Sequence, residues 1–254
     1  MELRFQNKTA IVTGSSRGIG AATAKRLASE GANVVVNYVN NPEAAQKVAA
    51  EINEGPGRAI VVQGNVGEYD EFEALVAACV AQFGGVDILV NNAGMSKLGT
   101  LMEMPLEDWH AARKINFDGP FYGCRLCAPH MIKAGGGTIV NVGSLAMRSG
   151  GGTSPAYSAG KSALSAFTVL VAKALAPHNI RVNVVAPGMT DTDLQASLGP
   201  GRMGGGSFEE IIKKQIPLGH LADPKEIASA IAFFCSEDSS YITGETIFVA
   251  GGKL

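Results

Sequence analysis

Residues 9–20 read Thr9-Ala10-Ile11-Val12-Thr13-Gly14-Ser15-Ser16-Arg17-Gly18-Ile19-Gly20. An apolar, β-branched run ends in a glycine-rich turn, and helix-period sequence over Ile19–Ser29 follows at once. Glycines permit the tight turn and let backbone N–H groups approach a pyrophosphate at the helix N-terminus. The spacing is G-x-x-x-G-x-G. Alone it is a weak signal. Between a strand and a helix, at the head of an alternating chain, it predicts a dinucleotide site at Gly14, Ser16, Arg17, Gly18, Ile19 and Gly20.

Outward from this turn the alternation continues. Strand-like runs fall at Thr9–Thr13, Asn33–Tyr38, Ala59–Asn65, Ile88–Asn92, Thr138–Val142, Ile180–Val185 and Thr246–Val249. Continuous apolar stretches such as Val34-Val35-Val36 fit strands covered on both faces. Helix-period segments lie between them, at about Ile19–Ser29, Glu43–Asn53, Glu68–Phe83, Leu106–Met131, Ala156–Leu175 and Pro224–Cys235. Asp223, Pro224 and Glu226 form an N-terminal capping signature for the last of these. The pattern predicts an α/β fold, a doubly wound parallel sheet of about seven strands with helices on both faces. No linker or repeat interrupts it, so residues 1–254 read as one domain. Thr190–Leu218, with Gly199-Pro200-Gly201 and Gly204-Gly205-Gly206, reads as a flexible substrate lid at about 190–218.

Composition narrows the classes. Of 254 residues 46% are hydrophobic and 17% charged, with a net charge of −2, which excludes disorder and gives no basic surface for nucleic acid. No uncharged apolar run approaches the roughly 18 residues of a membrane helix, so no membrane is expected. Met1–Asn7 carries Glu2 and Arg4 and is no secretory signal. Four cysteines are too few for a disulfide scaffold and point to a reducing, cytoplasmic compartment. Cys124-Arg-Leu-Cys127, with His130 nearby, lacks a second ligand pair and sits mid-helix; no metal is expected there.

The second strand decides between dinucleotides. It ends at Asn37-Tyr38-Val39-Asn40, and no acid occurs before Glu43. An NAD site places an Asp or Glu there to bind the ribose hydroxyls. Arg17 is placed to meet a 2′-phosphate. NADP(H) is therefore expected over NAD(H), with Asn37 and Tyr38 beside the ribose.

Further motifs follow in order: Asn91-Asn92-Ala93-Gly94 after the fourth strand, Ser144 ending the fifth, Tyr157-Ser-Ala-Gly-Lys161 opening a helix, and Pro187-Gly188 ending the sixth. Together they resemble the short-chain dehydrogenase/reductase family over nearly the whole chain, and the resemblance implies a Rossmann-like fold. Tyr157 and Lys161 are four apart and share a helix face. A nearby ammonium and a positive nicotinamide favour the phenolate of a tyrosine whose ordinary pKa is about 10.

By resemblance Tyr157 exchanges a proton with the substrate oxygen, Ser144 orients that oxygen, Lys161 holds the nicotinamide ribose, and Asn116 helps hold a linking water. Pro120 offers no N–H to the carbonyl of Asn116, leaving it free for that water. The same resemblance places cofactor contacts at Asn65, Val66, Asn92, Ala93, Gly94, Tyr157, Lys161, Pro187, Gly188, Thr190 and Thr192. Asn65 departs from the usual Asp, although its side-chain carbonyl can still accept.

Texture around Asn183–Gly188 and Tyr241–Glu245 is most similar to 3-oxoacyl-carrier-protein reductases. That implies an acyl-thioester or other small-molecule substrate, acyl carrier protein as a partner, and a homotetramer. Gly135 and His178 stand where those reductases carry two basic docking residues. Met95, Leu145, Met147, Met189 and Leu194 are candidates for an apolar pocket, and equally for core. A sugar, steroid or secondary-metabolite ketone remains an alternative substrate, and a non-catalytic dinucleotide sensor an alternative role.

Overall fold

Within the first strand, side chains alternate between two cores. Ala10 and Val12 pack with Val34, Val36, Val90 and Leu27 on one side. Ile11 packs with Val35, Leu89, Ile139 and Val182 on the other. A strand apolar on both faces needs cover on both, and helices supply it. The computed structural model describes residues 3–150, 154–192 and 208–253.

Seven strands form one parallel sheet: β1 Thr9–Val12, β2 Asn33–Tyr38, β3 Arg58–Gln63, β4 Ile88–Asn91, β5 Gly137–Val142, β6 Ile180–Pro187 and β7 Thr246–Val249. Their order is β3-β2-β1-β4-β5-β6-β7. The connection reverses direction between β1 and β4, and ligands of such sheets bind outside the carboxyl ends of the strands at this crevice. The first core cluster takes in α1 (Gly18–Ser29), α2 (Pro42–Asn53) and α9 (Pro224–Cys235). The second takes in α3 (Tyr69–Phe83), α5 (Gly119–Ala134) and α7 (Pro155–Leu175). The expected capping box of α9 is present, with Asp223 and Glu226 each bonding the other's turn.

Three local features depart from the expected elements. The segment expected as one helix over Leu106–Met131 is α4 (Leu106–Arg113), a π-turn over Lys114–Asp118, and α5. Pro120 has no N–H, and its ring would strike the carbonyl of Asn116 in a regular helix. The ladder instead slips by one residue, and Gly119 N–H bonds the carbonyl of Lys114. Two short helices carried no period long enough to read: α6 (Ala146–Ser149) and α8 (Phe208–Gln215). The expected lid thus contains α8, while residues 193–207 lie outside the described residues.

Cys79, Cys124, Cys127 and Cys235 are buried free thiols. Burial pushes the Cys124 thiol up to about 12, so it packs as a small apolar group. The helical run from Pro155 to His178 is long and apolar enough to cross a membrane by composition. Here Gly160, Lys161, Leu164, Thr168 and Ala172 of α7 are buried within the fold.

The π-turn yields a prediction. Pro120→Ala restores the missing donor, so the turn should close as regular α-helix and Asn116 should rotate away from its present contacts. Thermal stability should hold or rise while turnover falls. A crystal structure of the variant that keeps the π-turn would show that proline is not its cause.

Candidate active site

The glycine turn is held from three sides. Gly14 (φ 61°) and Gly18 (φ 55°) adopt left-handed conformations that disfavour other residues. Gly14 N–H donates to Asn37 Oδ1 at 2.9 Å, and Asn37 Nδ2 donates to the carbonyl of Gly64 at 2.9 Å. Asn92 Nδ2 donates to the carbonyl of Thr13 at 2.9 Å. A Cβ on Gly20 would lie 2.5 Å from both Asn92 Nδ2 and the Gly14 carbonyl oxygen. The expected cofactor residues Asn37 and Asn92 therefore spend their amides on the chain itself and shape the turn. Asn65 behaves similarly: its Oδ1 accepts from Gly67 N–H at 3.1 Å, which leaves one lone pair.

The N-terminus of α1 has no side-chain cap and no acid in its first turn. Gly18, Ile19 and Gly20 line the cleft there, and Arg17 stands exposed at its edge. An uncapped helix start with a cation beside it is an anion site.

Opposite the turn, Ser154 N-caps α7 by accepting from Tyr157 N–H at 3.3 Å, and Pro155 takes the first helical position. This fixes Tyr157 in the first turn. Ser144 and Tyr157 both line the cleft, and the Ser144 hydroxyl favours the Tyr157 phenolate. One turn on, Lys161 is 2% exposed and its Nζ donates to the carbonyl of Val142 at 2.7 Å. That Nζ lies 6.0 Å from the Tyr157 ring centroid.

Burial sets both pKa values. It raises Tyr157, partly offset by the Ser144 hydrogen bond. It pulls Lys161 down to about 8. For Tyr157, desolvation is the larger of the two effects, and Ser144 opposes it.

Asn116 is fully buried in the π-turn, behind the cleft wall. Its Oδ1 accepts from Met95 N–H at 3.2 Å, and its Nδ2 donates to the carbonyls of Met95 at 2.7 Å and Ala112 at 2.9 Å. The side chain thus clamps the loop after β4, a role its position alone does not reveal.

A cleft of about 1350 Å³ runs between these parts. Every other residue expected at the site lines it: Gly14, Ser16, Arg17, Gly18, Ile19, Gly20, Asn37, Tyr38, Asn65, Val66, Asn92, Ala93, Gly94, Ser144, Tyr157, Lys161, Pro187, Gly188, Thr190 and Thr192. Met95, Leu145 and Met189 line it too. Met147 does not; its Sδ accepts from Ser144 N–H at 3.3 Å, and it lines a separate groove with Arg148 and Phe248. Leu194 lies outside the described residues. Lys253 lines the cleft and was missed, because it follows the last strand in no motif.

Among the described residues the lining holds three cations, Arg17, Lys161 and Lys253, and no carboxylate. Glycine approaches, an uncapped helix start and this charge balance fit a nicotinamide dinucleotide. Gly135 and His178 precede β5 and β6, at the strand ends away from the cleft.

Comparison with known proteins agrees with this architecture. A family model described as enoyl-(acyl carrier protein) reductase matches residues 14–253. The chain is 41% identical to a 3-oxoacyl-[acyl-carrier-protein] reductase of Synechocystis sp., over 97% of each chain. It is 40% identical to the reductase of that name from Aquifex aeolicus, over 100% of each. Among solved structures, a dehydrogenase/reductase from Sinorhizobium meliloti superposes with a TM-score of 0.89 at 37% identity, covering 99% of this chain and 96% of that one. A short-chain type dehydrogenase/reductase from Mycobacterium marinum gives 0.90 at 32% identity, covering 98% and 96%. With the sheet order, the glycine turn and these full-length matches in agreement, the chain belongs to the short-chain dehydrogenase/reductase family of oxidoreductases.

Proposed function

We propose that this protein is an NADP(H)-dependent reductase of 3-oxoacyl thioesters, forming a secondary alcohol. The observation that carries the reading is the convergence of Ser144 and Tyr157 on one part of the cleft wall, beside the buried Lys161. Two hydroxyls converging on one point suit a substrate oxygen that must gain a proton. Ser144 positions the oxygen. Tyr157, held protonated by its burial, donates the proton, a role that typically contributes 10²–10⁴-fold. Lys161 supplies positive charge beneath it and holds the ribose. Asn116 holds the loop bearing Met95 and, through its carbonyl, the linking water. When bound, the dinucleotide supplies the hydride.

Arg17 beside an α1 N-terminus that lacks acids supports NADP(H), since a 2′-phosphate gains from the guanidinium. Met95, Leu145 and Met189 provide an apolar wall for the acyl portion. The names of the full-length relatives support the thioester. Residues 1–254 act as one domain, with the lid over about 190–218. Exposed Leu170 and Phe121, on the outer faces of α7 and α5, support assembly into a homotetramer. Free, buried cysteines support a cytoplasmic setting. One observation favours a second reading, reduction of a free ketone: Gly135 and His178 leave the expected carrier-docking positions without a lysine or arginine.

Three outcomes test this. Tyr157→Phe should lower kcat/KM for acetoacetyl-CoA by about 10²–10⁴ while NADPH still binds; retained turnover would remove Tyr157 from the chemistry. NADPH should be used in clear preference to NADH, and Arg17→Glu should reverse that preference in steady-state kinetics.

Lys161 should cost the folded protein stability. The unfolded chain keeps this lysine protonated up to about 10.4, whereas the folded one does so only to about 8. Between these values the unfolded state binds more protons, so stability rises with pH across that window. At pH 7 Lys161→Met should therefore be inactive yet more stable, by up to about 3 kcal/mol. In denaturant titrations the gain should shrink from pH 8 upward.

A further inference from the structure

We propose that Lys253 determines substrate choice by binding an oxyanion, a carboxylate or a phosphate, carried on the substrate. The proposal rests on the reading of the cleft as a carbonyl-reducing site. Of the three cations lining the cleft, two have assigned partners. Arg17 stands at the uncapped start of α1, and Lys161 is tied to the carbonyl of Val142. Lys253 has no such assignment, and among the described residues it forms no ion pair.

Its surroundings hold it in place without neutralising it. Nζ donates to Gln215 Oε1 at 2.6 Å and meets Met189 Sδ at 3.3 Å. Both partners are uncharged, and a thioether is a weak acceptor. An ammonium has three N–H groups, so the pair leaves donor capacity toward the cleft that both Lys253 and Met189 line. Burial lowers the lysine pKa, as expected for a cation without a carboxylate.

The chain beneath this lysine is firmly seated. Leu218 N–H donates to the carbonyl of Gly251 at 3.0 Å. Gly251 (φ 61°) and Gly252 (φ 87°) turn the tail in left-handed conformations. A Cβ on Gly252 would come within 2.9 Å of the Pro217 ring. A lysine on such a base keeps a fixed position and loses little freedom on binding an anion. Met189 follows Pro187 and Gly188, expected on the nicotinamide side, so the open donor lies toward the substrate end of the cleft.

Two matched pairs separate the two sources of oxyanion. One is the 3-oxobutanoyl thioester of 4′-phosphopantetheine against its dephosphorylated form. The other is acetoacetate against ethyl acetoacetate. Kd values are measured on the NADPH-bound Tyr157→Phe protein, and KM and kcat on the parent enzyme.

The charged member of one pair should bind about tenfold or more tightly. Lys253→Met should collapse that ratio toward one through Kd and KM, and Lys253→Arg should restore it. Preference in the first pair identifies a phosphate, in the second a carboxylate. If neither pair shows a charge preference, or if the preference survives Lys253→Met, the proposal is overturned. Failure of the thioester reading alone appears differently: neither thioester binds or turns over, while the acetoacetate pair still reports on Lys253.

Discussion

The site depends on one buried charge. An ammonium removed from water costs several kcal/mol unless its donors are met. Lys161 meets this by bonding the carbonyl of Val142, the last residue of β5. That bond links the middle of α7 to the end of a central strand. Ser144 lies two residues past Val142, and Tyr157 one helical turn before Lys161, so a single contact sets the separation of the two hydroxyls. The surrounding backbone crowds in to keep the charge dry. A Cβ on Gly94 would sit 3.6 Å from Lys161 Nζ and 3.3 Å from Asn116 Oδ1. A Cβ on Gly160 would meet the Cβ of Asn116 at 3.1 Å. Side chains at these positions would press on Asn116 and loosen the convergence of the π-turn, the loop after β4 and α7.

A second polar line runs deeper in the core. Asn91 Nδ2 donates to Asn141 Oδ1 at 2.9 Å, Asn141 Nδ2 to Thr168 Oγ1 at 2.9 Å, and Thr168 Oγ1 to the carbonyl of Leu164 at 2.8 Å. All three side chains are buried. The chain crosses from β4 through β5 to α7 and pins the helix at a point two turns beyond Lys161. A helix held only by apolar contacts can slide along a sheet at little cost. One held at two polar points cannot, because each shift would strand a buried donor. Exact placement of Tyr157 follows from this pairing more than from its own contacts.

Much of this was legible in the residues, for definite reasons. Strand runs such as Val34-Val35-Val36 are short and apolar throughout, and the glycine turn has a local geometric cause; neither depends on distant partners. Tyr157 and Lys161 were legible as a pair because they sit one turn apart in a single helix. What could not be read depends on contacts between distant segments. Asn37 and Asn92 line the cleft, but their bonds to Gly14, Gly64 and Thr13 join distant segments and could not be read. Pro120 pointed to the carbonyl of Asn116, but nothing local pointed to the clamp its side chain makes on Met95 and Ala112. Met147 promised a wall of the cleft and lines a separate groove with Arg148 and Phe248 instead. Lys253 gave no signal, since nothing in Gly251-Gly252-Lys253 predicts that the tail folds back against Ile216–Leu218.

The charge distribution of the cleft follows from strand polarity. Loops after β1, β4, β5 and β6 open on one side of the sheet, so the groups that bind and react gather there with helix N-termini whose dipoles favour anions. A carboxylate in this wall would oppose both the helix field and a dinucleotide's phosphates, and the described lining has none. The cations are spread along it rather than clustered. One stands at the α1 end, one lies buried in the wall beside Ser144 and Tyr157, and one projects from the tail near Met189. Spacing of this kind limits mutual repulsion and divides a long ligand into segments, each met by its own charge. The two sites at Gly135 and His178 lie beyond β5 and β6, about 20 Å away along six residues of strand.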